Sequence, residues 1–446
     1  MSIEAVLPEG PRRSPLDRLL SLFAEVRAGE GAIVLLMALD LFLVLSAYYM
    51  LKTVREALIL TQGGAAVKTY SSAGQALLLL VLVPAYAALA SRVNRMRFLR
   101  VVTLFFVTNI LVFFVLGRLG FHIGIAFFLW VGIFNVMVIS QYWAYANEVF
   151  DPEQGRRLFA IVGLGSSVGA WVGSAYAGAF IRAVGPYALA LVSGGVLTLC
   201  MIVTQAIHAK QGARAPKAAA AAEKPLGQAG AFELIFEDKY LLMIAALFVV
   251  LNVVNTTGEY LLSKVVVAES LARFGSDPAA VEAREKFVGG FYGSFFSYVN
   301  LTGFLIQMLA VSRIMRHMGV AGALFIHPTV AFLGYLSMMF APTLQLVRAV
   351  KVLDNSTDYS LGNTVKQALW LPTSREAKYK AKQAVDSFFM RAGDVIAAGV
   401  VLVGETLSLA MPVFAAVNVA LAAVWMVVVG RIAPENRRRM AEARGE

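Results

Sequence analysis

The side chains best able to do chemistry in this chain are charges set inside apolar sequence. Between the apolar run ending at Phe340 and the helix breaker Pro372 stand Arg348, Lys351, Asn355, Asp358, Gly362 and Lys366. On an α-helix these positions fall within roughly 80° of one another, a single polar stripe about 27 Å long. That length matches the hydrocarbon thickness of a bilayer. Ionisable groups at such depth are costly unless they face partners or a water-filled cavity. The stripe therefore predicts the wall of a solute path, and its cations suit an anionic solute.

Four further groups have the same character. Lys52, Arg55 and Glu56 close the first apolar segment, with i,i+3 and i,i+4 spacing that puts Lys52 within reach of both neighbours. They line the path or snorkel to water at its mouth. Asn252, Asn255 and Glu259 recur at helical spacing beside Tyr260, as a cavity lining in a later segment. Asp386, Arg391 and Asp394 form a gating set or a structural ion pair. The loop EVFDPEQGRR carries Arg156 and Arg157 opposite acids, either a solvated cluster or a gate salt bridge. Just before it stand Asn147 and the aromatic residues Tyr142, Trp143 and Tyr145, which read as interface rings or as a stacking surface for a planar base. Asp40, Asp354 and Asp358 are the acids that proton coupling would use.

The elements holding these groups must be membrane helices. Of 446 residues 59% are hydrophobic, and the mean hydropathy is +0.71. About eleven apolar runs are long enough to span, and 343–370 makes a twelfth if its charges face inward. The expected fold is all-α, with about twelve transmembrane helices in two parallel six-helix halves. The first 30 residues lack the short apolar core and cleavage site of a signal peptide. One cysteine and four scattered histidines leave no metal-ligand spacing, and no cofactor is expected. The net charge of +11 does not imply nucleic acid. About two thirds of the Lys and Arg fall on one side of the spans, the positive-inside pattern that puts both termini in the cytoplasm.

Organisation follows from the same reading: a cytoplasmic segment 1–30, a first half 31–208, an Ala-rich linker 209–232, a second half 233–431 and a basic tail 432–446. The halves read as repeats. SRVNR at 91–95 returns as SRIMR at 312–316, Pro152 as Pro372 and Arg157 as Lys378, all at an offset of 220 or 221. Parallel repeats of six helices are the plan of major facilitator transporters. Gly165, Gly169 and Gly173 form a small-residue face for close helix packing. GLGSSVG within it follows a loop, not a strand, and is no dinucleotide fingerprint; no Walker A sequence occurs.

Three stretches carry a resemblance: YYMLKTVREALILT (48–61), YWAYANEVFDPEQGRRLFAIVGLG (142–165) and YSLGNTVKQALWLPTSREAKYKAKQAVD (359–386). They resemble the ATP/ADP translocase family of bacterial and plastid nucleotide transporters. The resemblance implies a major-facilitator-like body in a bacterial inner membrane that exchanges nucleotides or related phosphorylated anions and needs no second copy. It places the family's basic positions on Lys52, Arg55 and Lys366. It also marks departures, because nucleotide-exchanging members have acids where this chain has Val131 and Asn255. Two other readings are a transporter of the same fold for an unrelated, proton-coupled substrate, and a non-transporting scaffold or sensor. Neither reading, nor exchange itself, makes the chain an enzyme.

Overall fold

The computed structural model describes residues 14–21, 24–90, 95–211 and 230–444, and these form helices and short connections without a strand. A short α1 (Pro15–Leu20) precedes α2 (Gly31–Gln62), α3 (Gly64–Ala90), α4 (Arg95–Arg118), α5 (Gly124–Val149) and α6 (Pro152–Gln211). The second part holds α7 (Ala231–Glu237), α8 (Lys239–Phe274), α9 (Val281–Ile306), α10 (Ser312–Ala323), α11 (Ile326–Phe340), α12 (Leu344–Thr357), α13 (Asn363–Ala368), α14 (Lys382–Ala384), α15 (Met390–Thr406) and α16 (Met411–Arg444). Most of the expected linker, 212–229, lies outside the described residues, as do 1–13, 91–94 and 445–446. Nine helical runs among the described residues are long and apolar enough to cross a membrane. Helices are the form such sequence must take, because hydrocarbon offers no partner to an unpaired backbone group.

Local sequence sets where these helices stop. Gly185, at φ 82° and ψ 175°, breaks α6 just before Pro186, so its 60 residues double back as two passes. Gly275, at φ 76°, ends α8, and the Asp238 carboxylate caps its start by accepting the Tyr240 amide at 2.8 Å. Thr343 caps α12. At the amino end Ser14 and Asp17 form a capping box, and Asp17 also accepts the amides of Gly29 and Gly31 at 3.2 and 2.9 Å. These hydrogen bonds, with the Ser14 amide foremost, hold the Asp17 carboxyl down at about 2.

The first part packs around α2. Gly165, Gly169 and Gly173 of α6 lie against the backbone of Ala38, Phe42 and Ser46, where any Cβ would collide. The Ser46 hydroxyl donates to the Gly169 carbonyl at 3.1 Å. In the second part α8 packs on α15 and α16. The two parts meet through α6 on α9, α3 on α15, and α2 and α3 on α9 and α8. Helix alternation puts residues 14–31, 211, 230 and 444 at one end, here the terminal end. The hairpins at 62–64, 118–124, 185, 274–281 and 406–411 mark the far end.

Candidate functional site

Nine side chains from six helices and the turn at 358–362 form one chain of charge contacts. The Arg55 guanidinium meets Glu56 Oε1 at 2.5 Å, and Glu56 Oε2 lies 2.7 Å from Lys68 Nζ on α3. Lys68 then crosses to the second half, 3.7 Å from Glu259 of α8 and donating to Ser263 at 3.0 Å. Glu259 Oε1 is 3.6 Å from Lys351 Nζ on α12, which bonds Asp354 at 2.7 Å. His327 of α11 lies 3.0 Å from Asp354 and 3.7 Å from Asp358, and Lys366 Nζ donates to Asp358 at 2.9 Å.

The network is deep. Lys351 is fully buried, while Glu56 and Lys68 have 1% and 8% of their side chains exposed. At 1.5 Å per residue Lys68 stands about 6 Å from the far end and Lys366 about 33 Å, so the contacts run through most of a bilayer's depth. Ions at that depth persist only with close partners, since each loses several kcal/mol of solvation. Four carboxylates, Glu56, Glu259, Asp354 and Asp358, match four cations, Arg55, Lys68, Lys351 and Lys366. The surplus cation is Lys52. It makes no ion pair among the described residues, and its Nζ rests 4.2 Å from the Phe296 ring centre and 5.2 Å from that of Tyr49. Nearby, Tyr359 in the middle of its helix is 46% exposed, so open space reaches the network.

The sequence stripe is only partly kept. Lys351, Asn355, Asp358 and Lys366 join the network, Asn355 donating to Glu259 at 2.9 Å. Asn255 accepts from Lys351 at 3.2 Å. Residues 358–362 form a π-helical turn between α12 and α13, which shifts register where Asp358 must meet Lys366. Arg348 departs from the stripe, donating to Ser294 of α9 at 3.1 Å and lying over the Phe291 and Tyr298 rings. Lys52 does not bridge Arg55 and Glu56 as spacing suggests, because Glu56 turns to Lys68. The expected surplus of positive charge shrinks to one because Glu259, Asp354 and Asp358 join the network.

The remaining candidates lie elsewhere. Arg157 binds Glu30 at 3.0 and 3.1 Å, tying the start of α6 to that of α2 within the first half, so it is not a gate between halves. Burial works against the Glu30 carboxylate, but bonds from Arg157, the Arg27 amide and Gln154 outweigh it and hold the group below its usual range. Arg156 and Asn147 are exposed at the terminal end. Tyr142 and Tyr145 are buried, Tyr142 donating to the Met37 carbonyl at 2.6 Å, and Trp143 packs on Phe159. They form neither an interface belt nor an open stacking surface. Arg391 stands 3.5 Å from Asp394, which accepts from Asn252 and Thr256 at 2.9 Å each, whereas Asp386 is exposed beside Lys382. Lys68 and His327 went unread in the sequence. A lone lysine early in an apolar segment was the available signal for the first.

Comparison with known proteins reaches the last of the three motif stretches, 359–386. Residues 330–435 match the family described as TLC ATP/ADP transporter. "ADP,ATP carrier protein 1" of Chlamydia muridarum is 22% identical over 341 residues, covering 66% of this chain and 61% of the relative. The protein of the same name from Chlamydia pneumoniae is 20% identical over 344 residues, covering 66% of this chain and 63% of the relative. Over about two thirds of its length this chain is similar to proteins named as ADP,ATP carriers. It spans about three fifths of the length of these two relatives. Among solved structures, a bacterial homologue of the iron transporter ferroportin in an inward-facing state superposes with a TM-score of 0.62 at 14% identity, covering 90% of this chain and 98% of that one. A D323A mutant of the nucleoside transporter NupG gives 0.62 at 13% identity, covering 89% and 99%. The fold is thus the all-α one of these solved transporter structures.

Proposed function

We propose that this protein is a secondary transporter that exchanges nucleotides or related phosphorylated anions by alternating access, without catalysing a reaction. The observation that carries this reading is the buried charge chain that crosses between halves at Lys68–Glu259, with Lys52 left over beside it. A phosphate entering from the terminal end passes Lys366, which Asp358 holds, and then meets Lys52, the cation without an ion pair. It then competes with Glu56 and Glu259 for Arg55, Lys68 and Lys351. Charge-assisted contacts to a phosphate replace those to carboxylates, the crossing pair is released, and the halves are free to rock. In a low-dielectric cavity such exchanges involve several kcal/mol, enough to bias a two-state equilibrium. Asn255 and Val131 leave the site without the further acids of strict exchangers, so base discrimination of only about 1 kcal/mol is expected.

The reading extends to twelve passes, counting the two arms of α6, in a bacterial inner membrane with the terminal end cytoplasmic and a monomer sufficient. The test is exchange in proteoliposomes loaded with ADP and presented with labelled ATP, other nucleotides, sugar phosphates and inorganic phosphate. Saturable exchange of phosphate compounds is expected. Lys52→Gln, which breaks no ion pair, should weaken apparent affinity about tenfold or more with folding intact. Indifference to every phosphate compound would remove the proposal. A proton-coupled alternative falls to Asp40, because Asp354 and Asp358 both hold lysines. Asp40 is 2% exposed, with Cys200 and Thr204 as hydrogen-bond partners and no cation within 4 Å among the described residues.

A further inference from the structure

Arg348 does not stand alone where it leaves the stripe. At the far end, between the halves, a cavity of about 600 Å³ is lined by Arg182 of α6, Arg273 of α8, Lys286 of α9 and Arg348 of α12. No carboxylate lines it. Arg273 and Lys286 are partly offset by rim acids, Glu269 at 2.6 Å and Glu282 at 2.8 Å. Arg182 and Arg348 have no carboxylate partner among the described residues; they hold the Gly290 carbonyl at 3.0 Å and the Ser294 hydroxyl at 3.1 Å. Aromatic rings complete the wall, with Arg273 5.0 Å from the Phe287 ring centre and Arg348 5.4 Å from that of Phe291.

We propose that this vestibule is a second binding site, which captures a phosphate-bearing anion with an aromatic base before it reaches the buried network. Cations without acids select the phosphates, rings select a planar group, and the volume lies within the range of small-molecule sites. The site also touches the closure beneath it. Arg182 belongs to the first half but donates to Gly290 of the second, beside the backbone contact of Gly178 with Gly293. An anion that draws Arg182 away removes a bond between the halves at the end that must open. The inference deepens the transport reading and rests on it for the identity of the ligand.

Binding to the full chain separates the two. In phosphatidylcholine nanodiscs, the Lys52→Gln protein should retain saturable binding of labelled ATP and of pyrophosphate. Adding Arg182→Gln and Arg348→Gln should raise the dissociation constant for both about tenfold or more. If that combination does not fold, Arg348→Gln alone should raise it several-fold. Phe287→Leu should weaken ATP more than pyrophosphate. An ATP affinity unaltered by the arginine substitutions would overturn the vestibule, as would loss of ATP binding when anionic lipid is added, since lipid phosphate would then be the occupant. Absence of exchange by wild-type proteoliposomes would overturn the transport reading while leaving these binding results to be read separately.

Discussion

Glu56 and Lys68 are the pair on which the network turns. A carboxylate 1% exposed in the middle of a membrane protein is retained because an ammonium stands 2.7 Å away and a guanidinium 2.5 Å away. Lys68→Met leaves Glu56 with one partner and Glu259 with one fewer, and Glu56→Gln leaves Lys68 facing Glu259 alone. A double-mutant cycle on thermal unfolding in detergent should give a coupling energy of about 1–3 kcal/mol. A value near zero would mean that Arg55 and Lys351 carry the network without Lys68. Reading the sequence residue by residue singled out many of the residues that the structure brings into contact, but not their pairing. Lys351, Asp358 and Lys366 stood out because charge in apolar sequence is conspicuous, whereas Lys68, a lone lysine near the start of its segment, went unread. Which acid a lysine chooses depends on neighbouring helices, and spacing along its own helix cannot show it.

At the scale of elements, small residues decide how closely α6 approaches α2. Gly169→Leu drives a side chain into the Phe42 backbone and should cost about 1–3 kcal/mol, the usual penalty of overpacking, read as a lowered melting temperature. This face was legible, since small residues four apart have one main structural use in membrane helices. The π-helical turn at 358–362 was not, because slipping a hydrogen-bond register by one residue leaves no compositional mark. A second prediction concerns the amino end. Asp17 titrates at about 2, below its ordinary 3.8, so its contribution to folding is complete above pH 4 and is lost as pH falls through 3.8 towards 2. Hydrogen exchange of residues 24–31 should speed up over that interval in the wild type. In Asp17→Asn the exchange should be fast already at neutral pH and should change little on acidification.

For the molecule as a whole, the contacts between halves define a state. Lys68 with Ser263 and Glu259, Arg182 with Gly290, and Gly178 with Gly293 lie in the far half of the bundle, with the Asn300 bond to the Ala170 carbonyl at 3.1 Å near its middle. The protein is closed at the far end. Transport by alternating access requires those contacts to part once per cycle. Ile181 touches the space beside Gly289 across this seam. In a Cys200→Ser background, cysteines at 181 and 289 should form an oxidant-dependent disulfide that stops exchange and is reversed by reductant. Undiminished exchange after complete cross-linking would rule out opening at that seam. The repeated landmarks and the Ala-rich linker remain the sequence's own argument for a two-part plan. The closed end was not, since both states of a transporter share one sequence.

The balance of four acids against four bases, with Lys52 left over, has an electrical consequence. The network carries a surplus of one positive charge, so under the proposed exchange a nucleotide bearing three or four negative charges would cross incompletely neutralised by it. Exchange of two species that differ by one charge then moves one charge per cycle, and a membrane voltage of 100 mV drives it by about 2.3 kcal/mol. Proteoliposomes clamped by potassium and valinomycin should exchange ATP for ADP faster at one polarity than at the other, while ATP for ATP should show no such preference in net flux. The direction of the cycle would then follow from the voltage of the host membrane together with the two concentrations.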